Sequence, residues 1–217
     1  MPLKGDTLFE SAIRDLSAQM ADIDRSVIEG LHGGEESAYA AVIDELHRPV
    51  YRFLLRLSGD SGSAEDLTQE TFLAVWRGID SFAWRSAFKT WVFGIAYRQF
   101  LRHRDRRSPE TVPLDEERDE RDCPDLCAMV EEAEQRNLVR RAVYTLPDPY
   151  RSVVCLVHLD GLSYREAAEV LDIPVGTVKS RMNGAFKILR EKLREYEVQG
   201  DEVREPESLS RRRAWPL

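Results

Sequence analysis

The sequence predicts an all-α protein: two small helical domains joined by an acidic flexible linker, the second domain a helix-turn-helix. Three observations predict this. Apolar residues recur at three- and four-residue spacing in several separate stretches, and no strand of convincing length alternates. Charge is segregated into blocks: residues 48–107 hold 11 basic and 6 acidic side chains, residues 139–195 hold 10 and 7, and residues 108–138 between them hold 3 and 11. The middle block also carries Pro109, Pro113 and Pro124 and is too polar to bury a core. At 217 residues, 42% hydrophobic and 32% charged, two helical units suit the chain better than one large enzyme core.

The elements follow in order. Leu8, Ile13, Leu16 and Met20 make a weakly amphipathic segment within residues 1–25, read as an N-terminal extension or a built-in inhibitory helix. Acidic residues scattered through it argue against a signal peptide. Residues 37–57 form the first strong helix, with Ala38, Val42, Leu46, Val50, Phe53 and Leu57 on one face. After the turn at residues 58–63, Ser63 is expected to cap a second helix that carries Leu67, Phe72, Val75, Trp76 and Ile79 on one face. A loop at residues 80–88 leads to a third helix, residues 89–104. Residues 108–130 are the linker. Helix resumes near residue 131 and stops at Leu146-Pro-Asp-Pro-Tyr150, where two prolines interrupt it. Another helix spans residues 150–158.

The most specific local pattern lies beyond. Ser163 stands three residues before Glu166, the spacing of a capping box, and Ala167, Ala168 and Leu171 give a slim apolar face. Residues 173–176 read as a turn, with Thr177 expected to cap a long helix over residues 178–194. This is the layout of a helix-turn-helix whose second helix enters the major groove. Lys179, Arg181, Lys187, Arg190, Lys192 and Arg194 against a single Glu191 suit phosphate neutralisation. Residues 83–98 mix five aromatics with Arg85, Lys89 and Arg98, and Arg102 follows. Aromatic platforms beside basic side chains suit unstacked single-stranded bases, with Trp84 or Trp91 as wedge or stacking surface. Phe88 and Phe93 read as core.

Taken together, Ala64-Glu-Asp-Leu-Thr-Gln-Glu-Thr-Phe-Leu-Ala-Val-Trp76, Phe88-Lys-Thr-Trp91, Leu162-Ser-Tyr-Arg-Glu-Ala-Ala-Glu-Val-Leu171 and Gly176-Thr-Val-Lys-Ser-Arg181 resemble a bacterial extracytoplasmic-function (ECF) sigma factor. The resemblance implies a dissociable subunit of RNA polymerase that recognises promoters and assists their melting, with no cofactor and no metal. It implies a first domain over residues 26–107 and a second over residues 131–195, with a tail at residues 196–217. Core polymerase would be bound by Asp66, Gln69, Glu70 and Phe72. The −10 element would be held and opened by Trp84, Arg85, Lys89, Trp91, Arg98 and Arg102. The −35 duplex would be read by Thr177, Lys179, Ser180, Arg181 and Lys187. Partners are the polymerase core, promoter DNA and an anti-sigma factor, in the cytoplasm and without membrane insertion. The extended reach of residues 108–130 is about 80 Å at roughly 3.5 Å per residue. Promoter elements some two dozen base pairs apart lie about as far apart at roughly 3.4 Å per step.

Departures from the family pattern are specific. Gly184 and Phe186 stand where arginines commonly recur, which puts two DNA contacts in question. Tyr97-Arg98 replaces the common Arg-Asn. A helix-turn-helix repressor or activator that does not replace sigma would explain the second domain, but not Asp-Leu-Thr-Gln-Glu or the aromatic-basic helix. A protein that sequesters regulators through its acidic segments is a third reading. Cys123, Cys127 and Cys155 read as ordinary reduced thiols, and no nucleophile–base order or phosphate loop suggests an enzyme.

Overall fold

A computed structural model describes residues 23–106, 139 and 141–203, with side chains described to residue 194. The N-terminal segment, the linker with Cys123 and Cys127, and the tail beyond residue 203 lie outside the described residues. Every regular element among them is helical: α1 Arg25–His32, α2 Glu36–Ser58, α3 Ser61–Gly78, a 3₁₀ turn Ile79–Ser81, α4 Phe88–Arg106, α5 Asp148–Val154, a π turn Cys155–Leu159, α6 Tyr164–Leu171 and α7 Val175–Val203.

The first domain packs α2, α3 and α4 around Val42, Leu46, Phe53 and Leu54 from α2, Leu67 and Val75 from α3, and Val92, Phe93 and Ala96 from α4. The Phe53 and Phe93 rings meet at 5.2 Å. Apolar side chains at helical spacing on three helices thus share one interior, where burial of each Val, Leu or Phe stabilises by about 1.5–3 kcal/mol. Helix α1 packs against α2 and the 3₁₀ turn. Its Gly30 lies so near α2 that a Cβ there would sit 2.9 Å from the Ala38 methyl.

The capping of α3 differs from the sequence expectation. Its cap is Asp60, whose Oδ2 accepts from the Ser63 amide at 2.7 Å; Ser63 lies inside the helix and is buried. Helix α2 ends one residue earlier at Gly59, in the left-handed region at φ 73°.

The second domain is built from α5, the π turn, α6 and α7 around Val153, Leu156, Leu162, Ala167, Met182 and Leu189. The capping box of α6 is formed: the Ser163 amide donates to Glu166 Oε2 at 2.7 Å and the Glu166 amide to Ser163 Oγ at 3.2 Å. The turn after α6 passes through Asp172 at φ 52°, a conformation that Asp tolerates better than most residues. Helix α7 begins at Val175, so Thr177 is not its cap but sits within its first turn, its amide donating to the Pro174 carbonyl at 2.8 Å. The helix expected over residues 150–158 is α only to Val154 and then widens into the π turn. The two domains touch, with α6 lying against α4 and the π turn against α2.

Candidate nucleic-acid interface

Helix α7 divides cleanly. Val178, Met182, Ala185 and Leu189 are buried, one per turn, and fix the helix across α5 and α6. The opposite stripe, Lys179, Ser180, Asn183, Lys187 and Arg190, is exposed, and Arg181 is half-buried at its edge. Two cationic side chains two turns apart, with an amide between them, can follow a phosphate backbone and present a donor–acceptor to base edges. Asn183 was not singled out from the sequence, although its position between Lys179 and Lys187 would have found it. Gly184 and Phe186 turn away from this stripe. A Cβ on Gly184 would sit 2.6 Å from Tyr150 Cε1, and the Phe186 ring packs on His158 at 5.3 Å. These departures therefore reflect packing against α5 and the π turn.

In the first domain the loop before α4 carries an aromatic cluster. Phe82 is its hub, with ring centroids 5.2 Å from Trp84, 5.3 Å from Phe88 and 5.3 Å from Trp91. Phe88 and Phe93 are buried as expected, and Trp91 is half-buried. Trp84 is 44% exposed and sits at φ 58°, a strained backbone for a bulky residue. The Arg25 guanidinium of α1 lies 4.9 Å from its ring centroid, a cation–π contact invisible at sequence level. Beside the cluster opens a groove of about 220 Å³ lined by Ser81, Trp91, Ile95, Arg98, Gln99 and Arg102. It brings Trp91, Arg98 and Arg102 together, while Arg85 is exposed outside it and Lys89 points toward α6. Burial and the neighbouring Arg102 pull the Arg98 guanidinium below its ordinary range, while Asp172 opposes them. Two guanidiniums that repel one another beside a ring favour an anion between them.

Helix α3 shows a third surface. Asp66, Gln69 and Glu70 are exposed on one face and continue into Leu73, 50% exposed, and Trp76, 41% exposed. The polar patch is placed where the sequence put it, but its apolar anchor is not Phe72. That ring is 4% exposed and faces inward, stacking on His47 at 5.9 Å, while the Phe72 carbonyl accepts from the Tyr39 hydroxyl at 3.2 Å. Trp76 is also not core, and its ring meets Tyr39 edge-on at 4.6 Å. Exposed Leu and Trp beside carboxylates make a compact docking patch.

Comparison with known proteins is consistent across both domains. Residues 42–110 match the family model for sigma-70 region 2 and residues 136–189 that for sigma-70 region 4. The chain is 31% identical over 179 residues to the ECF RNA polymerase sigma factor SigW of Bacillus subtilis, covering 77% of this chain and 95% of that protein. It is 30% identical over 188 residues to the ECF RNA polymerase sigma-E factor of Escherichia coli K12, covering 82% and 97%. Among solved structures it is similar to the co-crystal structure of the sigma factor RpoE with the anti-sigma factor NepR from Bartonella quintana. There the TM-score is 0.56 at 26% identity, covering 72% of this chain and 96% of that one. CnrH, solved in complex with the cytosolic domain of CnrY, shares the fold at a TM-score of 0.59 and 22% identity, covering 79% and 97%.

Proposed function

The chain belongs to the ECF family of RNA polymerase sigma factors, and from that membership we propose which of its surfaces meets which partner. As a sigma factor it directs core polymerase to promoters and takes part in transcription initiation. The observation that supports the assignment best is the division of labour between two domains. One exposes a cationic stripe on a helix-turn-helix, and the other an aromatic groove flanked by arginines.

In this reading α7 enters the major groove of the −35 element, with Lys179 and Lys187 on phosphates, Asn183 and Ser180 toward base edges, and Arg181 at the rim. Thr177 contributes from the first turn. The melted non-template strand of the −10 element runs along α4, with Trp91 as its stacking wall, Trp84 at the loop tip, and Arg98 and Arg102 on its backbone. Arg85 and Lys89 extend the positive field. Asp66, Gln69 and Glu70, with Leu73 and Trp76, dock on core polymerase. The protein is not itself a catalyst and acts in the cytoplasm, where polymerase is; among the described residues no helix is long and apolar enough to cross a membrane. An anti-sigma factor controls it, as NepR is complexed with the relative RpoE.

The test is reconstitution. Mixed with core polymerase and a promoter library, the chain should yield discrete start sites that core alone does not give. Replacing Leu73 and Trp76 by Ser should abolish co-elution with core while helix content is kept. Unchanged co-elution would remove α3 from the interface, and no start sites at all would remove the sigma reading.

A further inference from the structure

Trp84 holds a costly position. Its backbone sits at φ 58°, a region that a bulky side chain occupies only where surrounding contacts over-determine it. Two contacts hold its ring. The first is Phe82, 5% exposed and itself fixed by Phe88 and Trp91, with its centroid 5.2 Å from that of the indole. The second comes from a separate helix: the Arg25 guanidinium of α1 lies 4.9 Å from the indole centroid. Arg25 Nε also donates to Glu29 Oε1 at 2.9 Å, which anchors the guanidinium to its own helix. At the other end of α1, His32 Nδ1 comes 3.6 Å from Asp80 Oδ1. Arg25 and His32 open and close this helix about two turns apart, on one face. That face meets the segment between α3 and α4 at its start and again at Trp84.

We propose that Arg25 is a positioning residue for base capture: it pins the Trp84 indole in its strained conformation, so that the exposed part of the ring is preformed as a stacking surface for an unpaired base of the −10 strand. The use of that surface rests on the sigma assignment; the pinning does not. A loop indole free to turn must be ordered when a base arrives, and the ordering cost is subtracted from the stacking. An indole held beforehand by Phe82 and Arg25 gives the stacking in full.

The test uses the full chain as wild type, Arg25→Ala, Glu29→Gln, Trp84→Ala and the double variant Arg25→Ala with Trp84→Ala, labelled with 5-fluorotryptophan for NMR and unlabelled for transcription. The fluorine line missing from Trp84→Ala belongs to Trp84. Arg25→Ala should move and narrow that line and leave the other tryptophan lines in place. In holoenzyme on a promoter selected from the library, the equilibrium constant for opening, read from permanganate reactivity, should fall by about two- to five-fold with duplex docking kept, the range of an exposed cation–π contact. Glu29→Gln drops the ion pair but keeps an acceptor for Arg25, and should match wild type in both readouts. Once Trp84 is Ala, Arg25→Ala should have no further effect on opening. An unmoved Trp84 line in the folded Arg25→Ala chain would overturn the pinning. A moved line with wild-type opening, or an equal loss of opening with and without Trp84, would overturn the role in base capture, the latter making Arg25 a charge for the DNA backbone. If no form, wild type included, gives start sites with core polymerase, the sigma reading fails while the fluorine lines still decide the pinning.

Discussion

Gly184 offers the sharpest quantitative test of how the second domain is packed. In the middle of a long helix, glycine costs about 1 kcal/mol relative to alanine, so Gly184→Ala on an isolated α7 should stabilise by that amount. In the folded chain the new methyl would stand 2.6 Å from Tyr150 Cε1 and 3.4 Å from Cδ1 and Cζ, where ordinary carbon contacts lie at about 3.5–4.0 Å. The ring must therefore retreat by roughly 1 Å. It sits in the first turn of α5, with its amide bonded to the Pro147 carbonyl at 2.9 Å and its ring packed on the core. Overpacking of this kind costs about 1–3 kcal/mol. The two effects leave a net loss of about 1 kcal/mol, or roughly 2–4 °C in melting temperature for a chain this size. Tyr150→Ala removes the obstacle, so Gly184→Ala in that background should gain about 1 kcal/mol, a coupling of about 2 kcal/mol between the two positions. Thermal unfolding of the four chains measures it. If Gly184→Ala stabilises the wild-type chain as much as it stabilises Tyr150→Ala, the close approach of α5 and α7 is wrong, and Gly184 is again available as part of the DNA face.

Other outcomes follow from the same structure. Lys179→Ala and Lys187→Ala should each weaken duplex binding and lower the slope of log affinity against log salt by about 1, whereas Glu191→Ala should not lower it; filter binding over a salt series checks this. Trp91→Ala should leave duplex docking intact and suppress permanganate reactivity in the −10 region, and normal opening would make the ring purely structural. Burial pushes the Cys155 thiol up to about 12, Arg56 and Arg151 pulling the other way, so maleimide at pH 8 should leave Cys155 unmodified in the native chain and label it only after unfolding. Burial likewise pushes the Asp160 carboxyl up to about 6 from 3.8, with Arg56 and Arg52 of α2 lowering it, while Arg56 stays cationic.

What could be read from the sequence was whatever depends on local spacing. Ser163 and Glu166 stand at capping-box distance, and the box is formed. Helix α2 runs one residue beyond the apolar spacing at each end. Ambiguity began where several local answers were equally good. Asp60, Ser61 and Ser63 are all acceptable caps, and only burial of Ser63 decides among them. Phe72, Leu73, Val75 and Trp76 wrap nearly half of α3, so periodicity alone cannot say which ring faces in. Helix α1 was missed because it is short, although Asp24 followed by Val27, Ile28 and Leu31 carries the signal. The groove residues Trp91, Arg98 and Arg102 were legible because they share a helix face, whereas Arg25 on Trp84 and Arg56 on Asp160 join distant segments and leave no local trace.

The wide turn at residues 155–159 has a consequence for how this chain can vary. A π turn is an α-helix holding one residue too many, accommodated by a bulge rather than by a longer rod. Because the bulge absorbs the surplus locally, deleting it would return the segment to plain α geometry while the flanking elements keep their register, α5 still packed on α7. What changes is local: the Asp160 amide reaches back five residues to the Cys155 carbonyl at 2.9 Å, and a plain α turn would bond it four back instead. Asp160, the first residue after the turn, would be reseated against Arg56. A single codon here thus acts on the seat of the contact between the two halves more than on either half's core, so related chains could tune that contact without rebuilding either DNA-binding surface.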